Sequence, residues 1–285
     1  MKIVLFGEDF FSATALQSLI DNGQEILFVI CPLRNNSNYK SLQKITTKNN
    51  ILFHRVEDVN SKIIENKLIE LKADLIISVH LKKILKKQIF NLTKYGAINV
   101  HPSLLPKYRG LSPQHQAIIH GDSETAVTIH FIEEGIDTGD FIIQERIPIL
   151  KSDYIYDLQI NVLSIYKHIF IKAIGLIEDP NFKPIMQSEL GLSYFGRIKE
   201  VDRRIDLNKS KEEIYNQIRA FSMPYEGAFY DKYVIWRVDF IDNNKEVELI
   251  KKYPNQGIYQ IPNEDIIIIR LRNSILVSDD FELLN

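Results

Sequence analysis

The sequence predicts an α/β protein with a doubly wound parallel sheet, followed by a smaller β-domain. Short apolar runs alternate with helical patterns through the N-terminal part of the chain, as successive βα units do. One of these runs, residues 74–80, is apolar almost throughout, which is typical of a strand buried on both faces. After residue 221 short strand-like segments replace the helical periodicity and indicate the second domain.

The N-terminal part opens with an apolar strand, residues 2–6, closed by Gly7. A helix is expected over residues 12–22, with Ser12 as its N-cap and Gly23 as its stop. The alternation then continues with strands at 26–31, 51–55, 74–80 and 98–100, and with helices at 41–49 and 60–71. Ligands of such sheets lie outside the carboxyl ends of the strands, so Gly7, His80 and His101 should meet in one crevice.

The middle of the chain adds a helix at 114–120 and two strands, 125–132 and 141–149, which are expected to form an antiparallel hairpin on the sheet. A long helix is predicted over 154–177, and an irregular segment follows over 179–193. We place the domain boundary near Gly191, which gives domains of residues 1–190 and 191–285. The second domain is predicted as a barrel-like β-domain, with a helix at 212–221 and strands at 233–241, 246–251, 257–261, 266–271 and 274–277.

Composition limits the partners that we expect. The 285 residues carry a net charge of −2 with a pI near 6.4, and residues 200–285 hold 12 Lys or Arg against 16 Asp or Glu, a net of −4. Nucleic-acid binders usually show a basic footprint, so none is expected. The single cysteine, Cys31, is expected to be a buried, inert thiol. We expect no signal peptide and no membrane span, and hence a cytoplasmic protein.

The strand that ends at residue 101 carries the first functional signal. Asn99 and His101 are two residues apart, so they point to the same face of the strand. Pro102 and Pro106 follow and exclude a regular helix or a paired central strand. An amide that donates to a developing oxyanion, beside an imidazole that moves a proton, suits acyl transfer.

A second signal is the turn that contains Asp137. Gly135 and Gly139 bracket this residue and predict a tight loop. Alone, an aspartate in such a turn is most often a structural Asx-turn. The combination of a carboxylate with the Asn99 amide and the His101 imidazole favours a catalytic set.

These elements resemble those of the formyltransferases that use 10-formyltetrahydrofolate. The family carries Asn-x-His, then Ser-Leu-Leu-Pro and Arg-Gly, and a later Asp-Thr-Gly, which stand here at 99–101, 103–106, 109–110 and 137–139. The resemblance implies a Rossmann-like catalytic domain and an OB-like C-terminal β-domain. It also implies that Asn99, His101 and Asp137 are catalytic, that 10-formyltetrahydrofolate is the formyl donor, that no metal is needed, and that the protein is a homodimer.

The same resemblance implies the ligand contacts. Folate is expected at Val79, Leu81, Lys83, Leu85, Ser103, Leu105, Ile132 and Gly135. The acceptor is expected at Phe10, Lys82, Tyr108, Arg109, Tyr194, Arg197 and Tyr225. Lys82 is favoured over Lys83 as the partner of a pyrophosphate.

Three acceptors occur in the family: initiator methionyl-tRNA, glycinamide ribonucleotide and nucleotide-linked amino sugars. Residues 194–197 and 224–229 look most like the sugar enzymes, which favours a dTDP- or UDP-linked amino-deoxy sugar used for O-antigen, capsule or another surface glycan. Methionyl-tRNA formyltransferase remains an alternative, and so does a folded but inactive sugar-nucleotide binder.

Overall fold

The computed structural model describes residues 1–284 and contains a seven-stranded sheet with the strand order β3-β2-β1-β4-β5-β7-β8. The strands of this part of the chain are β1 (Lys2–Gly7), β2 (Glu25–Pro32), β3 (Leu52–Val56), β4 (Leu75–Val79), β5 (Ala97–His101), β6 (Arg109–Gly110), β7 (Glu124–Phe131) and β8 (Phe141–Pro148). β1 to β5 pair in parallel, and β7 pairs antiparallel to β5. The strand order reverses between β1 and β4, which is where such sheets bind ligands.

The helices that follow these strands are α1 (Phe10–Asp21), α2 (Lys40–Lys48), α3 (Lys62–Leu71), α4 (Lys87–Phe90), α5 (Pro113–Ile119), α6 (Ile155–Tyr166) and α7 (Ile169–Glu178). Both faces of the central strands are covered. Ile3, Val4, Leu5 and Phe6 alternate between the two faces of β1, and all four are fully buried. The doubly wound α/β fold predicted from the sequence is confirmed.

The predicted start of the first helix was wrong. Asp9, not Ser12, is the N-cap of α1, and its carboxylate accepts from the Ser12 backbone N–H at 3.1 Å. Ser12 lies within the first turn and is fully buried. Its hydroxyl donates to the Val79 carbonyl at 2.8 Å, which ties the helix to the end of β4. Aspartate is as strong an N-cap as serine, and the phenylalanines at 10 and 11 continue the helix.

The long helix predicted over 154–177 is divided into α6 and α7 by a turn at Lys167 and His168. The Ser18 hydroxyl donates to the Lys167 carbonyl at 2.7 Å, a long-range contact that local periodicity does not encode. The stretch Ile155–Glu178 has 24 residues, and an 18-residue window within it has a mean hydropathy of 1.5 and is 39% buried. Among residues 1–284 it is the one helical stretch long and apolar enough to cross a membrane. This is weak support for a span, because apolar core helices meet the same criterion.

The chain divides into two compact units. The first comprises Met1–Gly110, Ala126–Ile147 and Asn161–Tyr194, and the second comprises Leu111–Thr125, Pro148–Ile160 and residues from Phe195 onward. The boundary near Gly191 remains a prediction.

The remaining strands begin with β9 (Tyr194–Phe195), which pairs with β6. After it come β10 (Ala228–Tyr230), β11 (Tyr233–Ile235), β12 (Gly257–Gln260), β13 (Ile267–Arg270), β14 (Ile275–Ser278) and β15 (Phe281–Leu283). β10 to β15 form two three-stranded antiparallel sheets, joined by a bridge between Asp239 and Val277. With α8 (Lys211–Phe221) they enclose an apolar core that includes Ile218, Ile235 and Ile267. The predicted β-domain is confirmed as a half-barrel.

Two strand predictions in this unit differ from the structure. Residues 246–251 belong to a helix, α9 (Asn243–Lys252), instead of a strand. Asp242 caps this helix by accepting from the Lys245 N–H at 3.0 Å, and basic residues occupy its last turn, where they favour the helix dipole. The strand expected over 233–241 is only the three residues of β11.

Candidate active site

The end of β5 brings Asn99 and His101 to one face of the sheet. β5 lies between β4 and β7, with Asn99 opposite Ser78 on one side and His130 on the other. His101 is the last residue of the strand and is 5% exposed, whereas Asn99 is half-buried. The structure therefore places the amide nearer to solvent than the imidazole.

Asp137 joins these residues from the loop between β7 and β8. Its carboxylate accepts from the Gly110 N–H at 2.9 Å and from Asn99 Nδ2 at 3.3 Å. His101 Nδ1 lies 3.5 Å from Asp137 Oδ2. Asp137 has a φ of 51°, in the left-handed region that non-glycine residues rarely adopt and that often marks functional sites.

A second imidazole, that of His130 on β7, also faces this carboxylate. His130 Nε2 lies 3.4 Å from Asp137 Oδ1 and 3.3 Å from Asn99 Nδ2. Its other ring nitrogen, Nδ1, donates to the Phe131 carbonyl at 2.8 Å. Sequence reasoning did not assign His130 a role. The signal was its place in an alternating strand predicted to join the same sheet as Asn99.

Electrostatics favour an ionised carboxylate at this position. Burial alone raises the pKa of Asp137, but His101, His130 and the Gly110 N–H together hold it well below its usual range. Burial lowers the pKa of His101, against the opposing effects of Asp137 and the Tyr108 carbonyl. His101 Nε2 donates to that carbonyl at 2.8 Å, which leaves Nδ1 directed at Asp137.

The two imidazoles lie behind the carboxylate. The exposed fraction of the side chain is 13% for Asp137, 6% for His101 and 3% for His130. Asn99 and Asp137 are thus the more accessible polar groups of this set.

The loop after β4 is fixed by a second polar network. His80 has a φ of 51°. Its Nδ1 lies 3.2 Å from Asp9 Oδ2, and its Nε2 lies 3.1 Å from the Tyr166 hydroxyl. Phe11 stacks on the His80 ring with centroids 4.4 Å apart. The residues expected to contact folate begin immediately beside this anchored position.

The expected folate residues differ in accessibility: Val79, Leu85, Ser103 and Leu105 are buried, Leu81 and Ile132 are half-buried, and Lys83 and Gly135 are exposed. Ser103 and Leu105 follow β5, and the others lie around two further loops, after β4 and after β7. Those two loops adjoin, because Leu81, Leu85 and Ile132 pack in one apolar cluster. Lys87 also pairs with Glu134 across the loops at 3.5 Å. Each loop presents an exposed isoleucine, Ile84 or Ile136.

The acceptor residues expected in the first unit differ in accessibility. Phe10 and Tyr194 are exposed by 59% and 51%, and the Lys82 side chain is also exposed. Tyr108 and Arg109 are buried. The Arg109 guanidinium donates to Gln187 Oε1 at 2.6 and 3.1 Å and to the Tyr194 hydroxyl at 2.8 Å. In this structure the Arg109 guanidinium therefore binds Gln187 and Tyr194 of the protein itself. Its contact with the acceptor remains a prediction.

Two further acceptor residues, Arg197 and Tyr225, belong to the second unit. Arg197 is exposed. The Tyr225 hydroxyl accepts from Gln159 Nε2 at 2.6 Å, and its ring meets His115 edge-on with centroids 4.4 Å apart. The roles of both residues remain predictions.

An open cavity of about 540 Å³ adjoins the first unit's network and is lined by Arg109, Thr138, Gln187 and Leu192, among others. This volume is within the range of small-molecule pockets. No group of His, Cys, Asp or Glu side chains within residues 1–284 has a metal-binding arrangement.

Family comparisons agree with the motifs. A model of the formyl transferase family matches residues 1–174, and a model of the formyl transferase C-terminal domain matches residues 197–280. The chain belongs to the formyl transferase family. The resemblance stated from the motifs is confirmed, and the protein is a formyltransferase.

Individual relatives of this formyltransferase point to two kinds of acceptor. The methionyl-tRNA formyltransferase of Clostridioides difficile is 30% identical over 281 residues, which cover 94% of this chain and 91% of the relative.

Two solved structures of N-formyltransferases have TM-scores above 0.7 with this chain. One is WlaRD, a sugar 3N-formyl transferase determined in the presence of dTDP and 5-N-formyl-THF, with a TM-score of 0.74, 26% identity, and coverage of 100% of this chain and 98% of that one. The other is an N-formyltransferase from Helicobacter canadensis in complex with folinic acid and dTDP-3-aminofucose, with a TM-score of 0.76, 25% identity, and coverage of 99% and 100%.

Proposed function

We propose that this formyltransferase moves a formyl group from 10-formyltetrahydrofolate to the amine of a dTDP- or UDP-linked amino-deoxy sugar. The observation that carries the proposal is the Asp137 carboxylate, which Asn99, His101 and His130 surround at the carboxyl end of the sheet. The two structural relatives that hold formyl-folates and dTDP compounds support the same donor and acceptor class.

The chemistry forms a C–N bond to the sugar amine and breaks the C–N bond to the folate nitrogen, with one proton passing from the amine to the leaving nitrogen. The Asp137–His101 pair relays the amine proton: the more exposed carboxylate meets the amine, and His101 Nδ1, 3.5 Å from Asp137 Oδ2, holds the proton until it passes to the leaving nitrogen. The Asn99 amide, which is accessible at the end of β5, stabilises negative charge on the formyl oxygen. The donor supplies an activated formyl group, and the loops at 80–85 and 132–137 would hold its pterin.

Methionyl-tRNA is the second candidate acceptor, because the curated relative with 30% identity is a methionyl-tRNA formyltransferase. Charge opposes it. A tRNA ligand requires many phosphate contacts from basic residues, whereas the chain has a net charge of −2 and residues 200–285 hold 12 Lys or Arg against 16 Asp or Glu. We therefore favour the sugar nucleotide.

The cellular setting is part of the same proposal. The chain holds one cysteine, Cys31, which is buried and can form no internal disulfide, so we propose a reducing, cytoplasmic setting. A homodimer that serves surface-glycan synthesis is expected from the family resemblance. The inactive-binder alternative needs no catalytic set, so the polar contacts around Asp137 argue against it.

The acceptor is tested by incubating the enzyme with 10-formyltetrahydrofolate and a panel of dTDP-, UDP- and GDP-linked amino sugars. Initiator methionyl-tRNA is included in the same panel. We expect formylation of a dTDP- or UDP-linked amino sugar, detected by mass spectrometry. Activity with tRNA alone would contradict the sugar acceptor, and no activity with any member would favour the binder.

The catalytic set is tested by Asn99→Ala and His101→Ala. Each should lower kcat by about a hundredfold or more, because Asn99 is a transition-state donor worth about 3 kcal/mol and a positioned proton-transfer group such as His101 contributes about a hundredfold or more. Asn161→Ala is the control, since Asn161 is an exposed residue of α6. Either site variant with near-normal kcat, when the control is also normal, contradicts the mechanism.

A further inference from the structure

A strap of ten residues, 185–194, overlaps the end of the segment expected to be irregular, 179–193, and contains Gln187, to which the sequence assigned no role. At its start, Ile185 exchanges two backbone hydrogen bonds with Phe141, at 2.9 and 3.0 Å. Near its end, the Ser193 carbonyl accepts from the Arg109 N–H at 2.9 Å, and the Ser193 hydroxyl accepts from the Tyr108 N–H at 2.8 Å. The strap is thus bound to both loops that hold the catalytic groups.

Gln187 lies between these two attachment points, and both the oxygen and the nitrogen of its side-chain amide form hydrogen bonds. Its Oε1 accepts twice from the Arg109 guanidinium, at 2.6 and 3.1 Å. Its Nε2 donates to the Asp137 carbonyl at 2.9 Å and to the Gly139 carbonyl at 2.7 Å. Four hydrogen bonds fix this one side chain, so its position and that of its partners are mutually determined.

The partners of Gln187 are adjacent to the groups that define the site. Arg109 stands between Tyr108, whose carbonyl holds His101 Nε2, and Gly110, whose N–H holds Asp137 Oδ2. The two carbonyls bracket the turn in which Asp137 takes its left-handed conformation. A displacement of either loop changes the 3.5 Å separation between His101 and Asp137.

We propose that Gln187 is a positioning residue for formyl transfer, which sets the distance between the His101 and Asp137 side chains by tying their two loops together. It touches neither substrate in this role and acts through Arg109 and the Asp137 turn. The inference rests on the proposed function only in using Asp137 as a reacting group, and it does not depend on which acceptor is used.

The test compares Gln187→Ala with the nearly isosteric Gln187→Glu. Glutamate keeps the oxygen that Arg109 binds but replaces the donor to the two carbonyls. Both variants should lower kcat by about tenfold to a hundredfold with KM changed little, since misplacement of a reacting group by about 1 Å costs about a hundredfold. In both variants the acid limb of the kcat–pH profile should move to higher pH. The displaced turn weakens the contacts that hold the pKa of Asp137 low, so that pKa rises.

Lys183→Ala is the matched control, since Lys183 is an exposed residue just before the strap. Its kcat and pH profile should match those of the wild type. A folded Gln187→Glu enzyme with the kcat and kcat–pH profile of the wild type overturns the proposal. The hydrogen bonds that Gln187 Nε2 donates to the two carbonyls would then be dispensable.

A second measurement needs no substrate. The ¹H–¹⁵N signals of the His101 imidazole, followed during a pH titration of the free protein, should differ between wild type and Gln187→Glu. Unchanged signals and titration in the folded variant overturn the proposal. If the wild type formylates no amino sugar, the proposed acceptor fails, and this titration still decides the role of Gln187.

Discussion

At the residue scale, the Asp137 carboxylate is held by groups from three other segments of the chain. Asn99 and His101 come from β5, His130 comes from β7, and the Gly110 N–H comes from β6. These contacts keep the Asp137 carboxylate ionised and fix its orientation, while the Asp137 backbone adopts the strained left-handed region. The geometry of the site therefore depends on the turn that carries Asp137.

Gly139 is the position in this turn where the backbone has no room for a side chain. A Cβ at Gly139 would collide with the Phe131 carbonyl. We expect Gly139→Ala to lower the free energy of unfolding by about 1–3 kcal/mol and to lower kcat, because the turn must shift. Urea unfolding and steady-state kinetics measure both effects.

Gly175→Ala is the control for this substitution. Gly175 lies in α7, and no atom is within 4 Å of the Cβ that would be added. Alanine in a helix should raise the free energy of unfolding by about 0.5–1 kcal/mol relative to glycine. Equal stability changes at the two glycines would contradict the steric explanation.

Prediction from sequence succeeded unevenly among these residues. Asn99 and His101 could be paired from their spacing alone, because strand side chains alternate. Asp137 could be added through its Gly-bracketed turn. His130 lies in a strand predicted to join the same sheet, but its contact with Asp137 depends on the pairing of β5 with β7. Gln187 could not be added, because its contact depends on a hydrogen bond between residues 50 positions apart.

At the scale of elements, the second unit contains a helix pair, α5 and α8, with a buried histidine in the first helix. His115 is 6% exposed and packs against the rings of Tyr225 and Phe221, with centroids 4.4 and 6.0 Å away. Burial lowers the pKa of His115 from 6.5 to about 4. The helix pair therefore carries an imidazole that remains neutral while the protein is folded.

This burial predicts a pH-dependent stability. Between pH 4 and 6.5 the unfolded state binds a proton at His115 that the folded state does not, so stability is full above pH 6.5 and falls as the pH approaches 4. His115→Leu should reduce the difference in urea midpoint between pH 7.5 and 5. Asn161→Ala, an exposed and non-titrating control, should leave that difference unchanged; an equal response from both variants contradicts the role of His115.

Elements were predicted well where local signals are strong and poorly where they conflict. β4 has a continuous apolar pattern, and its position was predicted to within one residue at each end. α9 was mistaken for a strand because Val247 and Leu249 alternate with charged residues. The N-cap at Asp242 and the basic residues in the last turn favour a helix over a strand here.

At the scale of the whole molecule, charge separates the two candidate acceptors. The net charge of −2 leaves no excess of basic groups for a long polyanion. A nucleotide sugar presents only a pyrophosphate, which a few basic side chains can neutralise. The two acceptors therefore predict different responses to salt.

We expect kcat/KM for the sugar nucleotide to fall by about tenfold or less between 50 and 200 mM KCl, because few counterions are released. A tRNA acceptor with several phosphate contacts would lose about a thousandfold or more over the same range. The measurement is steady-state kinetics at constant pH. A steep salt dependence with the sugar nucleotide would contradict the few-contact recognition that we propose.

The sequence alone determined the α/β class, the strand that carries Asn99 and His101, and the family, since apolar periodicity and short motifs act within a few residues. Only the tertiary structure decided that His130 faces Asp137, that Arg109 is occupied by Gln187 and Tyr194, and that the long helix breaks at Lys167 and His168. These features rest on hydrogen bonds between distant segments, whose energies exist only once the fold has brought the segments together.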